Sequence, residues 1–301
     1  MDLIALRQFV ATAEEGSVTR AAQRLGVSQP TVSQQIAKLE RELSTQLFDR
    51  LGRGMSLTDQ GRDLLERARE IILAVENAER AIRSAGDGVS GRLRVGSIAT
   101  FAQFGLPSMV AEFVRDFPEV ELIIHESVSD DLISRTVDGE LDLAIVSRTI
   151  PSEPLVLEPL FSETYKLALP RRHPLTSRRR IRVEDLRDFR FVLLEPRTGL
   201  PVMALEFCRA NGFEPRIACR GAQLATVQAM VGAGLGISFV PTLAAEADRS
   251  RRRVYRDLTG ERPSRTVSLA FHRLRRPTPA AHEFTVRLRQ HARTRVEAPD
   301  S

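Results

Sequence analysis

Residues 28–34 read Ser-Gln-Pro-Thr-Val-Ser-Gln, a run of amide and hydroxyl side chains between apolar residues near the N-terminus. A glutamine amide such as that of Gln34 can donate to N7 and accept from the N6 amino group of an adenine. Gln29 and Thr31 are suited to phosphates or bases, and Pro30 can contact a thymine methyl group. The chemistry open to this run is therefore recognition of base pairs.

Three amphipathic helices would position this run. Apolar residues at helical spacing predict helices over residues 2–15, 18–25 and 29–43. Ser17 and Ser28 can cap the second and third helices. A glycine shortly before each of these serines would end the preceding helix. One face of the third helix is expected to be apolar, formed by Val32, Ile36, Leu39 and Leu43. The opposite face would then be exposed, as in a helix-turn-helix.

A hairpin and a long helix are predicted to follow. Residues 47–50 and 55–57 flank Gly-Arg-Gly, which indicates a β-hairpin wing with Arg53 at its tip, where it could enter a minor groove. Thr58 would cap the long helix. Its apolar seam favours a dimeric coiled coil, with packing on the protein's own domain as the alternative. The seam consists of Leu64 or Leu65, Ala68, Ile71 or Ile72, Val75, Ala78 and Ile82.

Strands and helices alternate from residue 92 onward, which predicts βαβ units on a parallel sheet. Two such sets, joined by crossing strands near 165–169 and 266–272, would make two lobes around a cleft. The predicted fold class is therefore mixed α/β, with an N-terminal all-α winged helix-turn-helix. The expected domains are 1–58 for DNA binding, 59–91 for the linker and dimerisation helix, and 92–301 for the two-lobed unit with its cleft, for which the family resemblance given below implies effector binding. Lobe I would span about 92–164 and 266–301, and lobe II about 165–265.

Composition narrows the function classes. The 301 residues are 42% hydrophobic and 28% charged, as in ordinary globular proteins. The net charge of +5 permits a nucleic-acid partner, yet residues 1–56 are nearly balanced. The arginine runs at 178–180 and 251–253 are interpreted as solvated loops. Acidic residues near the N-terminus argue against an export signal, so the expected location is the cytoplasm, with nucleoid association.

Enzyme motifs are missing from the sequence. HExxH, GxSxG and the P-loop pattern do not occur, and the glycines of 232–236 follow a helix instead of a strand. The histidines have no metal-ligand spacing. We therefore expect neither an enzyme nor a cofactor or metal. A transport solute-binding protein would need an export signal and no helix-turn-helix, and a nucleoid architectural protein would lack a ligand cleft.

The first 60 residues closely resemble the LysR-type transcriptional regulators. The matching segments are 6–10 (LRQFV), 16–22 (GSVTRAA), 27–36 (VSQPTVSQQI), 47–50 (LFDR) and 57–61 (LTDQG). The resemblance implies a C-terminal fold like the type 2 periplasmic binding proteins and a tetramer built as a dimer of dimers. It also implies promoter DNA and a small effector as partners, with RNA polymerase a further candidate and no membrane.

The resemblance and helix-turn-helix geometry together give the predicted DNA-contacting residues. These are Arg20, Ser28, Gln29, Pro30, Thr31, Ser33, Gln34, Lys38, Arg50 and Arg53. Arg20 and Arg50 would hold phosphates. For each polar residue, the alternative to DNA contact is a position on a solvated helix face. For Lys38 and Gln35 the two interpretations have equal weight.

The resemblance also gives a predicted effector site at strand ends that face the cleft. Its residues are Ser97, Ala99, Thr100, Ser127, Ser129, Ser147, Arg148, Glu195, Arg197, Thr198, Gln223 and Thr226. Hydroxyls, helix N-termini and two arginines favour a small carboxylate or similar anion. Glu195 opposes a very acidic ligand unless it pairs with Arg148 or Arg197. The loop serines could instead be helix caps.

Binding of the effector is expected to close the lobes and change the half-site spacing of the tetramer and the bending of DNA. Some LysR-type proteins instead sense peroxide with a cysteine pair in the second lobe. Here Cys208 lies in the comparable region, but residues 195–207 contain no second cysteine and Cys219 lies on the following strand. The alternative is that both cysteines are small buried apolar residues.

Overall fold

The computed structural model of the protein describes residues 1–51, 54–83, 88–148, 153–196 and 199–296. The chain forms two compact units, one up to residue 86 and the other from residue 87. Each unit has its own hydrophobic core.

The first unit begins with three helices, α1 (Leu3–Glu15), α2 (Val18–Leu25) and α3 (Gln29–Leu43). The Ser17 and Ser28 hydroxyls accept backbone N–H groups at the starts of α2 and α3, both at 3.4 Å. These contacts confirm the predicted caps. Two glycines with positive φ follow α1 and α2, a backbone conformation that other residues adopt only with strain.

A hairpin and a long helix complete the unit. Strands β1 (Phe48–Leu51) and β2 (Gly54–Leu57) pair antiparallel, and helix α4 spans Asp59–Arg83. The Thr58 hydroxyl accepts the backbone N–H of Gly61 at 3.0 Å, so Thr58 caps α4 as expected. Helix α4 packs on α1.

The core of the first unit corrects the expectation for Leu43 and shows what part of the α4 seam contacts. Val32, Ile36 and Leu39 are buried as predicted, but Leu43 is 39% exposed because α3 ends there. Part of the α4 seam lies against the unit's own core, since Ala68 is fully buried in it. Ile71 is 40% exposed, which leaves apolar surface for a second chain.

The second unit contains nine strands and seven α-helices within the residues described. The strands are β3 (Gly91–Ser97), β4 (Val120–Glu126), β5 (Leu143–Val146), β6 (Leu155–Pro170), β7 (Arg190–Leu194), β8 (Arg216–Gly221), β9 (Ser238–Pro241), β10 (Arg253–Arg256) and β11 (Ser264–His272). The helices are α5 (Ala99–Phe104), α6 (Pro107–Asp116), α7 (Ser129–Val137), α8 (Gly199–Ala210), α9 (Leu224–Gly232), α10 (Thr242–Ala247) and α11 (Pro279–Val296).

One sheet runs through the unit in the order β10-β6-β11-β5-β3-β4, with β9 also on β6. Strands β3, β4 and β5 are parallel, whereas β11 is antiparallel to both β5 and β6. Strands β7 and β8 form a separate parallel pair. The helix-strand alternation therefore gives the predicted βαβ units on each side of long antiparallel strands.

Strand β6 passes from one core to the other. Leu155 and Phe161 belong to a core with β3, β5, α6 and α11, while Tyr165 and Leu167 belong to a core with β7, β9 and α9. The sequence predicted only residues 165–169 of this strand. It missed the first half, together with α5, α10 and β10.

Candidate nucleic-acid interface and effector site

The N-terminal edge of α3 is exposed while its apolar face is buried. Ser28, Gln29, Pro30, Thr31 and Gln34 are all exposed. Ser33 is half-buried. The edge therefore presents two glutamine amides beside a proline ring, which matches the donor, acceptor and apolar groups of base edges.

Two residues of this edge already bond each other. The hydroxyl groups of Ser28 and Thr31 lie 2.7 Å apart, in addition to the capping bond of Ser28. Both hydroxyls keep free lone pairs or a rotatable proton. Ser28 and Thr31 are thus fixed in orientation before any ligand arrives.

Lys38 and Gln35 are less suited to DNA contact than the N-terminal edge. The Lys38 ammonium lies 3.9 Å from carboxylates of both Asp2 and Glu42, which offset its charge. Gln35 is half-buried, and its side-chain oxygen is buried without a hydrogen-bond partner in the described structure.

The wing is attached to the helices by backbone contacts that the sequence did not predict. The Met55 N–H donates to the Gly16 carbonyl at 3.2 Å. The Glu40 carboxylate accepts the N–H groups of Leu47 at 2.9 Å and Phe48 at 3.3 Å. Glu40 therefore joins α3 to the start of the wing, a role that no local pattern announces.

The predicted phosphate contacts are only partly described. Arg20 donates to the Glu15 carbonyl oxygen and lies 3.5 Å from the Glu15 carboxylate, with its side chain 64% exposed. Arg50 is part of β1, but its side chain is outside what the structure describes. Arg53 lies outside the described residues altogether.

The predicted effector residues of lobe I differ in access. Ser97 is completely buried and donates to the Ile98 carbonyl at 3.2 Å, so this conformation offers a ligand none of its surface. Ala99 is exposed and Thr100 is half-buried at the start of α5. Ser127 is half-buried, and its N–H donates to the Ser97 carbonyl at 3.3 Å.

Neighbouring loops of lobe I are joined by side chains. The Ser129 hydroxyl accepts the Ser147 N–H at 3.1 Å, so it holds the loop after β5 instead of capping its own helix. Arg148 forms an exposed ion pair with Asp130 at 2.6 Å. The suggested Arg148–Glu195 pair is therefore wrong, because α7 supplies a closer acid.

Lobe II contributes exposed polar groups. Glu195, Gln223 and Thr226 are all exposed, and the Glu195 N–H donates to the Gly221 carbonyl at 3.0 Å. Arg197 and Thr198 lie outside the described residues. Glu195 has no cationic partner among the residues that the structure describes.

A buried ion pair beside Thr100 was missed by the sequence analysis. Arg265 on β11 and Glu163 on β6 meet at 2.6 Å, with side-chain exposures of 10% and 7%. Arg265 also donates to the Thr100 hydroxyl at 2.9 Å, and Glu163 accepts the Leu243 N–H at 3.0 Å. The pair thus links α5, both long strands and α10 at the point where β6 passes between the cores.

The two cysteines are free thiols in different surroundings. Cys208 is fully buried, and burial raises its pKa to about 12, with a smaller contribution from the charge of Glu214. The Cys219 sulfur lies 3.4 Å from the Met230 sulfur. Because the thiolate is the reactive form, Cys208 is a poor nucleophile in this structure.

The described residues show no sign of a metal site or of a membrane-spanning helix. No group of three or more metal-binding side chains occurs there. None of the helices there is long and apolar enough to cross a membrane.

Comparison with known proteins agrees with both units. The family described as "Bacterial regulatory helix-turn-helix protein, lysR family" matches residues 3–62, and "LysR substrate binding domain" matches residues 86–293. The "Hydrogen peroxide-inducible genes activator" of Dickeya chrysanthemi is 35% identical over 272 residues, 90% of this chain and 89% of that protein. The "DNA-binding transcriptional dual regulator OxyR" of Escherichia coli K12 is 33% identical over 272 residues, 90% of this chain and 89% of that protein.

Solved structures of full-length regulators have the same fold. A cysteine-to-aspartate variant of OxyR from Pseudomonas aeruginosa has a TM-score of 0.71 and 29% identity, covering 97% of this chain and 95% of that one. CbnR in complex with its target DNA has a TM-score of 0.59 and 26% identity, covering 97% and 100%. The predicted resemblance and the mixed α/β fold are confirmed, and the relatives named above are regulators of transcription, not enzymes. The chain belongs to the LysR family of effector-responsive, DNA-binding transcriptional regulators.

Proposed function

We propose that this regulator reads promoter DNA with the N-terminal edge of α3 and responds to a small carboxylate in the cleft of its second unit. The observation that carries the DNA part is the exposure of Gln29, Pro30 and Gln34 above the buried Val32 and Ile36. Ser33 and Arg20 would support the contact from its flank, with Arg50 and Arg53 on the wing side. CbnR, a structural relative, was solved with its target DNA.

The effector would be held between Thr100 on one side and Gln223 and Thr226 on the other. Hydroxyl and amide groups there can donate to a carboxylate. Arg148 is exposed but paired with Asp130, so it would add positive charge only by releasing that carboxylate. Glu195 disfavours ligands of high negative charge. Since Thr100 already accepts a hydrogen bond from Arg265, a ligand that bonds Thr100 would act on the buried pair between β6 and β11. That coupling gives the effector a route to lobe closure.

The proposed division of labour follows the two units. Residues 1–58 would bind DNA, residues 59–91 would dimerise and connect, and residues 92–301 would bind the effector. Exposed Ile71 supports dimerisation along α4, and a tetramer would follow from a second interface. We further propose action in the cytoplasm at the nucleoid, with RNA polymerase as a partner.

Replacing Gln34 with alanine should weaken binding to the preferred site by about 1–3 kcal/mol and relax the preference at one base pair. The amide would lose its bidentate contact while the fold stays intact, because Gln34 is exposed. Titration of the full-length protein against a set of singly altered duplexes measures the effect. Gln23→Ala, an exposed glutamine on α2, is the matched control and should change neither quantity. A Gln34→Ala protein with an unaltered base preference would remove α3 as the reading element.

A thermal-shift screen of the full-length protein against small mono- and dicarboxylates tests the effector class. A carboxylate present at 100 times its dissociation constant should stabilise the folded state by about 2.7 kcal/mol. The proposal requires that Thr100→Val and Gln223→Ala reduce this shift. A carboxylate that stabilises both variants as much as the unsubstituted protein would bind at another place.

Hydrogen peroxide is the second candidate effector, because several relatives are named as hydrogen peroxide-inducible genes activators. The thiol chemistry of this chain disfavours it. Cys208 is buried with a raised pKa, and the chain has only one further cysteine. A sensor cysteine needs access and thiolate character, both of which Cys208 lacks here.

Exposure of the full-length protein to peroxide at near-equimolar concentration should leave both thiols reduced and the DNA footprint unchanged. The oxidation state of the thiols is measured by thiol labelling after peroxide treatment of the native protein, followed by mass spectrometry. Footprinting measures the contact with DNA. Cys208→Ser should behave like the unmodified protein. Rapid oxidation of Cys208, together with a footprint change that Cys208→Ser abolishes, would establish peroxide as the effector.

A further inference from the structure

We propose that a cavity in lobe II binds the di- or triphosphate group of a small molecule, at a site separate from the predicted effector cleft. The cavity has a volume of about 510 Å³, within the usual range for ligand sites. Its lining includes Arg179, Arg256 and Arg262, and it contains none of the predicted effector residues. We call it the arginine cavity.

The two segments that form the cavity are joined by backbone contacts. The Thr259 N–H donates to the Ile181 carbonyl at 2.7 Å, and the Arg171 N–H donates to the Arg252 carbonyl at 3.1 Å. These bonds hold the loop that carries Arg262 beside the segment that carries Arg179. The three arginines therefore approach from a built framework and not from independent flexible loops.

Arg256 is positioned in advance. It is half-buried, and one of its terminal nitrogens donates to the Arg178 carbonyl at 2.6 Å. A guanidinium carries five donors, so the others remain for a ligand. Holding this side chain in place reduces the conformational entropy that an anion would have to overcome on binding.

Positive charge is concentrated in these two segments. Residues 171–182 and 249–262 contain twelve arginines against two acidic residues, while the whole chain has a net charge of only +5. The remainder of the chain is therefore net negative. A strongly basic region on an otherwise acidic background focuses anions toward one part of the surface.

One acidic residue, Asp257, lies among the lining residues and contacts two cations, one of which belongs to the cavity itself. Asp257, which also lines the cavity, lies 3.9 Å from the Lys166 ammonium and 3.4 Å from Arg262. Asp185 is paired with Arg178 at 2.5 Å. Arg179 has no acidic partner within 4 Å anywhere in the described residues. The lining therefore has three arginines against one carboxylate, so it keeps a net positive charge that an anion can balance.

Three arginines in the lining of one cavity favour a phosphate chain over a single carboxylate. Arginine matches phosphate oxygens with two parallel N–H donors, and each additional phosphate adds negative charge at short spacing. Gly260 lies in the lining with φ +94 and open space where a side chain would be, so a ligand can approach the backbone of this turn. The cavity is larger than a diphosphate and leaves room for an attached group.

Calorimetric titration of the full-length protein with pyrophosphate, inorganic triphosphate and citrate, at 150 mM salt, tests the proposal. Triphosphate should bind saturably and at least tenfold more tightly than citrate. Arg179→Ala/Arg262→Ala should weaken triphosphate binding at least tenfold. Arg172→Ala/Arg249→Ala removes the same charge from exposed positions in the same segments that do not line the cavity, and should weaken it less than twofold. Both double-alanine variants should melt within a few degrees of the unsubstituted protein.

The charge-preserving variant Arg179→Lys/Arg262→Lys separates charge from geometry and should give an intermediate loss. Equal losses in the two alanine variants would overturn the proposal in favour of a diffuse positive potential. Citrate binding as tight as triphosphate would also overturn it. The proposal would also fail if triphosphate did not bind saturably. If, in addition, only Arg179→Ala/Arg262→Ala bound duplex DNA more weakly, the surface would be assigned to DNA. The proposed DNA reading by α3 would survive each of these results, because Gln34→Ala tests it independently.

Discussion

Glu163→Ala should destabilise the second unit by about 3–5 kcal/mol, the loss expected when one partner of a buried ion pair is removed. Glu163 and Arg265 meet at 2.6 Å with side-chain exposures of 7% and 10%. The variant leaves the Arg265 guanidinium charged, buried and without its carboxylate, and it also frees the Leu243 N–H. Urea unfolding of the full-length protein, followed by hydrogen exchange to separate the two units, measures the loss.

Two comparisons sharpen this test. Glu163→Gln keeps an oxygen acceptor and should lose less than Glu163→Ala. Glu153→Ala removes a carboxylate that lies 3.0 Å from Arg273, but this pair is exposed, and its loss should cost no more than about 1 kcal/mol. If Glu163→Ala lowered the free energy of unfolding no more than Glu153→Ala, the buried pair would not stabilise the second unit.

The same variants report on signalling. Arg265 donates to Thr100, so the pair joins the proposed effector site to the strands that connect the lobes. Glu163→Gln should therefore change the size of the effector response in DNA footprints even where DNA affinity without effector is unchanged. An unchanged response would confine the pair to a role in stability.

Gly61→Ala should destabilise the first unit by about 3 kcal/mol, at the upper end of what overpacking usually costs. A Cβ atom at this position would lie 2.1 Å from the Leu47 carbonyl oxygen, which itself accepts the Thr58 N–H at 3.1 Å. The nearest obstacle is thus backbone, which cannot turn aside as the end of a flexible side chain can. The start of α4 and the start of the wing would have to separate, so DNA affinity should fall along with stability.

Gly26→Ala is the control for this prediction. Gly26 has φ +66 but nothing within 4 Å of an added Cβ, so only conformational strain of about 1 kcal/mol is expected. Thermal unfolding and DNA titration of both variants give the comparison. A larger loss in Gly26→Ala than in Gly61→Ala would contradict the steric argument.

Local signals explain what the sequence predicted well. Ser17 and Ser28 cap helices because their hydroxyls reach backbone N–H groups three residues later, an interaction decided within one turn. The three N-terminal helices consequently have nearly the predicted bounds. The exposed edge of α3 followed directly from its apolar periodicity.

Strand β6 shows where such reasoning fails. Its first half contains Glu158 and Pro159, which count against a strand interior. In the structure the register with β11 shifts by one residue between Phe161 and Pro159, so the proline lies at a bulge where a missing N–H is tolerated. Only the pairing partner, more than a hundred residues away, makes this segment a strand.

Arg265 and Glu163 were missed for a related reason. The two residues lie in different strands, and 102 positions separate them in the chain. Their significance comes from burial and mutual contact, which periodicity does not encode. The seam of α4 illustrates the converse, since the position of Ala68 fits both a coiled coil and the intrachain core, and in the structure it lies in that core.

The backbone tether between Met55 and Gly16, with the Glu40 carboxylate bonded to Leu47 and Phe48, has a consequence for how operators can be recognised. Because these bonds join the wing to the helices, we expect the wing and α3 to move together and not to adjust independently to a shifted half-site. If α3 and the wing contact DNA as proposed, an effector that changes the half-site spacing has to move the whole first unit. Half-sites with a different distance between the two groove contacts should then bind weakly.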